Sequence, residues 1–177
     1  IKDYVYWVGG PMMGRIASPN ESVTKTTNSV FVFPPDCFVV GKSRSDVKIE
    51  MARAAASCCQ CRSCTEMCPR YNIGHPIEPH KIMRAAACND FSDTSAFLNT
   101  FYCSGCGVCE MYACPQGLSP RKLVQTVKNA LRANGIRPPK DVKSGPVNPM
   151  RDYRRVPLER LVSRLGVKKY QTDAPLD

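Results

Sequence analysis

No stretch of this sequence approaches the roughly 18 to 20 consecutive apolar residues that cross a bilayer, so the chain is expected to be soluble or peripheral, without a transmembrane segment. A secretory h-region is missing too. With an odd count of eleven cysteines and strongly local spacing, that absence excludes the disulfide framework of a small secreted domain and points to a reducing cytoplasm. Nucleic-acid-binding motifs are lacking, so the formal charge of +10 reads as a surface for an acidic partner or an anionic membrane, not for RNA or DNA. No residue set proposes bond-making chemistry, and no catalytic residue is assigned.

Regular structure is also in short supply. Fifteen Pro and eleven Gly gather mainly at 69–79, 115–120 and 135–157, which predicts long loops, and 43% apolar residues suffices for a modest core. Something besides hydrophobic burial must stabilise much of the chain. Residues 1–41 have β character at Tyr4 to Val8, Ser29 to Phe33 and Phe38 to Val40, separated by Gly9-Gly10-Pro11 and Pro34-Pro35-Asp36 turns. Helices are expected over Asp46 to Ala56 (with Val47, Met51, Ala54 and Ala55 on one face), Pro79 to Ala87 and Ser92 to Asn99. The clearest runs from Pro120 to Ala133, with Leu123, Val124, Val127, Ala130 and Leu131 on one face and Gly135 as its stop. Residues 136–155 read as a charged, Pro-rich linker and Pro157 to Leu165 as a last short helix. The expected fold is therefore mainly α with irregular loops. A β-rich segment at 1–41 precedes a helical domain at 42–135, and a basic linker with a short helix follows at 136–177. Because the first residue is Ile1 and not Met, the chain is expected to be a piece of a longer protein.

Eight of the cysteines form two runs, Cys58-x-x-Cys61-x-x-Cys64-x-x-x-Cys68-Pro69 and Cys103-x-x-Cys106-x-x-Cys109-x-x-x-x-Cys114-Pro115. Each run continues through a Pro/Gly loop into a helix beginning at Pro79 or Pro120, which is an internal repeat. Two-residue gaps let the backbone wrap a cubane core and bring thiolates to three of its iron atoms. The fourth cysteine lies too far along for the same turn, and in two-cluster ferredoxins it ligates the other core. The expected ligands are Cys58, Cys61, Cys64 and Cys114 for cluster I, and Cys103, Cys106, Cys109 and Cys68 for cluster II. The second run has one extra residue before its Cys-Pro. Zinc is the alternative, but it favours paired CxxC elements separated by a longer span, a poor match to three consecutive two-residue gaps. Two [4Fe-4S] clusters make the chain a one-electron carrier. Eight thiolates subtract about eight charges and two oxidised cores return about four, leaving roughly +6.

Cys59 adjoins Cys58 but lacks its two-residue spacing to Cys61, while Cys37 and Cys88 are expected to be buried small apolar residues. His75 and His80 either tune a cluster or cap and pack the following helix. Met12 and Met13 are expected to pack beneath the Gly9-Gly10-Pro11 turn. Arg151, Arg154, Arg155, Arg160, Arg164, Lys168 and Lys169 either dock an acidic partner or form a solvated face.

The segment Gly9-Gly10-Pro11-Met12-Met13-Gly14, then Val23-Thr24-Lys25-Thr26-Thr27, then the paired cysteine runs, resembles the C subunit of Rnf electron-transport complexes and its relatives. Cys61-Arg62-Ser63-Cys64-Thr65-Glu66-Met67-Cys68-Pro69-Arg70, Gly74-His75, Pro79-His80-Lys81-Ile82-Met83-Arg84 and Cys109-Glu110-Met111-Tyr112-Ala113-Cys114-Pro115 look like the cobalamin reductases of propanediol-utilisation microcompartments. This resemblance implies an α-helical-ferredoxin-like dicluster domain, preceded by the end of a β-grasp region within 1–41. It further implies FMN and NADH sites only in an N-terminal part outside this sequence, whose flavin domain is the electron donor. Cobalamin or its adenosyltransferase is the implied acceptor, and the microcompartment shell a further partner. The parent would then be an NADH-dependent cob(II)alamin reductase, an oxidoreductase located in the cytoplasm inside a bacterial microcompartment. The alternative is a peripheral iron-sulfur subunit of a membrane Rnf-type complex.

Overall fold

The computed structural model describes residues 3–138, 145–147 and 166, so the expected helix at Pro157 to Leu165 and the basic run from Arg151 to Lys169 lie outside the described residues. Three short strands, β1 (Val5–Val8), β2 (Arg15–Ile16) and β3 (Val30–Phe33), form an antiparallel sheet in the order β2-β1-β3. Central β1 pairs Trp7 with both Ile16 and Phe31. Period-two alternation sends Val5 and Trp7 inward and Tyr6 outward. The Trp7 indole donates to the Gly10 carbonyl at 3.1 Å, tying the strand to the turn that follows it.

The expected strand at Phe38 to Val40 is instead the start of a helix, α1 (Phe38–Arg44). Its β-branched run is too short to override the surroundings. Val40 is completely buried on one face, and the C-terminal carbonyls of Lys42 and Ser43 accept from the Lys122 ammonium at 2.9 and 3.2 Å. Cation donors at a helix C-terminus satisfy carbonyls that have no partner within the helix.

Helix α2 (Val47–Ser57) is capped by Asp46, whose carboxylate accepts the Lys48 amide at 2.7 Å. Its buried face is Val47, Glu50 and Ala54, while Met51 and Ala55, expected to be inside, are exposed. The difference comes from polar burial. Glu50 is 1% exposed and bonds Arg53 at 2.9 Å. Desolvation alone would raise its pKa, but the polar surroundings of Ser119, the Arg53 hydrogen bond and the nearby Lys42 charge outweigh it and hold the carboxyl below its ordinary value.

Helix α3 (Ser63–Glu66) lies within the first cysteine run and α4 (Pro69–Asn72) directly after it. Then come α5 (Pro79–Cys88), α6 (Thr94–Asn99), a 3-10 turn (Thr100–Tyr102), α7 (Val108–Met111) within the second run, and α8 (Pro120–Ala133). Proline opens both α5 and α8 at a position where its missing N–H costs nothing. Helices α2, α5 and α8 pack around Ala54, Ile82, Met83, Ala96, Leu118, Leu123 and Val124. Cys58, Cys103 and Cys114 press against that core. In α8, Ala130 is exposed and Lys128 is buried in its stead, with its ammonium 2.7 Å from the Cys103 carbonyl.

Candidate metal centre

The repeat read from the sequence is repeated in the backbone. Two and four residues after Cys58, Gln60 and Arg62 have φ of 54° and 63°; two and four after Cys103, Gly105 and Gly107 have 71° and 81°. The same left-handed twists wrap both runs before α3 and α7 begin. Non-glycine residues carry them in the first run at a cost of about 1 kcal/mol each. Glycine is required at 107, because a Cβ there would meet the Met12 carbonyl oxygen at 2.7 Å.

Each run lines a different small cavity, and each gives its last cysteine to the other. Cys58, Cys61 and Cys64 share the first cavity with Cys114, beside His80, Met83 and Leu118. Cys103, Cys106 and Cys109 share the second with Cys68, beside Ile77, Arg121 and Val124. The exchange follows from the short helices. Cys64 sits inside α3 and Cys68 just beyond its end, and α3 packs against α7. All eight expected ligand residues are thereby brought together in the two expected groups of four.

The electrostatics of each group calls for a cation. Burial first, then the neighbouring Cys114, Cys58 and Cys61, push the Cys64 thiol up to about 12. Burial also raises Cys68, helped by Cys106 and Cys103, and raises Cys109, helped by Cys103, Cys64 and Cys68. Cys61 is the exception: hydrogen bonding with Ser63 holds it below the ordinary thiol value at the exposed rim. Four thiolates gathered this closely, one or two of them buried in each group, are favourable only around positive charge, which a polynuclear iron core would supply. Among the described residues no three His, Cys, Asp or Glu side chains are gathered as a single metal ion requires. Each cavity is lined by four of the expected cysteines, three of them at consecutive two-residue gaps, a set that suits a polynuclear core and fits a lone zinc ion poorly.

Four polar hydrogens point at three of these sulfurs. Cys58 accepts from Gln60 Nε2 at 3.2 Å and Cys114 from the Leu118 amide at 3.4 Å. Cys103 accepts twice, from the Gly105 amide at 3.3 Å and from Gln125 Nε2 at 3.2 Å. Sequence reasoning passed over Gln125 and Lys128, since nothing in an amphipathic helix shows which polar residue turns inward.

The other residues singled out in the sequence separate clearly. His80 is 4% exposed, lines the first cavity, and pairs its Nδ1 with Thr65 Oγ1 at 2.8 Å; the same hydroxyl accepts the His80 amide at 3.1 Å. It thus joins α3 to the first turn of α5. His75 stacks on Tyr102 with ring centroids 5.4 Å apart. Cys88 is exposed and Cys37 half-buried, so neither is the buried apolar residue expected. Cys59 is exposed at the rim of the first cavity. Met13 is exposed, whereas Met12 backs onto Gly107 and so leans on the second run.

Residues 57–119 match the family model for a 4Fe-4S dicluster domain. Over 172 residues, 95% of this chain, the sequence is 39% identical to the cobalamin reductase PduS of Salmonella typhimurium and 38% identical to that of Citrobacter freundii. The chain spans 37% of the length of each of these relatives. No solved structure matches it. Among the described residues, no helix is long and apolar enough to cross a membrane.

Proposed function

We propose that this chain is the two-cluster electron relay of a cobalamin reductase, a reading supported by the match of residues 57–119 to a 4Fe-4S dicluster domain and by 39% identity over 95% of the chain to part of one such enzyme. Cluster I is held by Cys58, Cys61, Cys64 and Cys114, and cluster II by Cys103, Cys106, Cys109 and Cys68. The observation that carries this reading is the pair of cavities, each lined by three cysteines of one run and the last cysteine of the other. When bound, the cores supply one-electron storage. The chain's own residues do the rest. Crossed cysteines tie the two runs into one unit, α3 against α7 holds the sites side by side, and the apolar wall of Ile77, Met83, Leu118 and Val124 keeps bulk water from their inner faces.

In the longer parent, electrons enter from a domain that binds FMN and NADH and leave to cob(II)alamin or its adenosyltransferase, within a bacterial microcompartment whose shell is a further contact. Residues 1–41 are the end of the preceding β-grasp region. The relatives' name and the match over 95% of the chain support cobalamin as the acceptor. The test has two stages. The purified chain is expected to hold about eight irons and to show broad absorbance near 400 nm that bleaches with dithionite. The full-length parent is expected to reduce cob(II)alamin with NADH and to lose that activity on Cys64→Ser or Cys106→Ser. Undiminished rates in both variants would remove the clusters from the path.

A further inference from the structure

Two glutamines stand at matching stations. Cys58 and Cys103 are the first cysteines of their runs, and each accepts a glutamine side-chain N–H at 3.2 Å, from Gln60 and Gln125 respectively. The two donors arrive by different routes. Gln60 lies two residues after Cys58, within the wrapping loop itself. Two residues after Cys103 stands Gly105, with the same left-handed backbone and no side chain. A Cβ on Gly105 would meet Gln125 Nε2 at 3.3 Å, tighter than an ordinary contact. The bare position therefore leaves room for a glutamine from the second turn of α8 to take the place that Gln60 fills from within its own loop.

Building on the cysteine ligation proposed above, we propose that Gln60 and Gln125 are paired positioning residues, each setting the reduction potential of one core through an N–H aimed at one thiolate. Reduction adds one electron to a core and no proton, and part of the added negative charge falls on the ligating sulfurs. An N–H donor stabilises a sulfur more as its charge grows, so it favours the reduced state and raises the potential. Because Gln125 belongs to α8, the second core answers to the seating of that helix, whereas the first answers to its own loop. Gln125 also lines a separate cavity of about 280 Å³ with Trp7, Met12 and Arg121, so the N-terminal segment bears on the same helix face. The two cores are in this way adjustable independently.

The test is a redox titration of the full-length holoprotein, read by electron paramagnetic resonance, in Gln60→Met, Gln125→Met and the double variant. Methionine keeps the side-chain length and removes the N–H. Each single variant is expected to move one of the two one-electron steps, and a different one, to lower potential. The reduced-to-oxidised ratio of that core should fall about tenfold, or about 59 mV for a one-electron couple. The double variant should move both steps. Gly105→Ala, which crowds Nε2, should move the same step as Gln125→Met. Unshifted steps in variants retaining about eight irons overturn the tuning role, as do equal shifts of both steps by either single variant. Loss of iron from Gln125→Met also overturns it, by making the glutamine structural. A parent protein that binds no iron overturns the underlying ligation instead.

Discussion

The proposed crossed ligation makes a prediction that sequence order would get backwards. Cys64 and Cys68 are neighbours in the first run, yet the structure puts Cys64 in the cavity with Cys114 and Cys68 in the other. Cys64 and Cys68 are both 8% exposed, so water has little room to replace a missing sulfur at either position. Removing Cys64 leaves three cysteines in its cavity and should cost one core, about four of the eight irons. The Cys64→Ala variant sets that baseline. Adding Cys114→Ala strikes the cavity already disabled and should cost no further iron. Adding Cys68→Ala strikes the intact cavity and should take the remaining four. Iron and acid-labile sulfide per chain, measured after anaerobic reconstitution, read the difference directly. Retention of about four irons by Cys64→Ala/Cys68→Ala, with none in Cys64→Ala/Cys114→Ala, would refute the crossed arrangement and assign each run its own core.

Three further outcomes follow from the packing. Chelation of iron under reducing conditions should abolish most of the helical circular dichroism, because Cys58, Cys103 and Cys114 are part of the packing around the small core that α2, α5 and α8 share, so releasing the metal loosens the long helices as well as the four-residue α3, α4 and α7. Gly107→Ala should lower holoprotein stability by about 1 to 3 kcal/mol in urea titrations, combining a φ of 81° with a Cβ placed 2.7 Å from the Met12 carbonyl; an unchanged midpoint would show that the N-terminal segment does not rest on the second run. Glu50→Gln should cost about 2 kcal/mol at pH 7, since it strips Arg53 and Lys42 of a buried carboxylate. The native carboxyl titrates below the ordinary 4.5, so its contribution is complete above that pH and declines as pH falls through the depressed value. The gap between parent and variant should accordingly narrow on acidification toward pH 4.

Much of the molecule is legible in its sequence because the signals are local. Proline at 79 and 120 with apolar residues at helical spacing marks α5 and α8, and Asp46 marks the start of α2. The spacing of the two cysteine runs was enough to propose both the cores and their crossed ligands. The errors share a cause. Phe38 to Val40 looks like a strand until Lys122, roughly eighty residues away, is seen to satisfy the helix that forms there. Met51 and Ala55 occupy a face that apolar character alone would bury, but Glu50 turns inward instead, bonded by the exposed Arg53 and held by the Lys42 charge. In both cases the deciding contact is made by packing that no window of neighbouring residues contains: Lys122 beneath the end of α1, and α5 and α8 closing over the face of α2 that holds Glu50.

The sequence by itself therefore determined the repeat and pointed to iron-sulfur chemistry with the cysteines proposed as ligands, since cysteine spacing is a property of consecutive residues. Only the tertiary structure decided what surrounds those sulfurs. Gln125 and Lys128 reach Cys103 because α8 folds back across the second run, and Gly105 is bare where Gln60 is not. Ligation depends on local chain geometry, whereas the field at a sulfur depends on every dipole and charge packed against it. Such neighbours are brought together only when the helices close around the core.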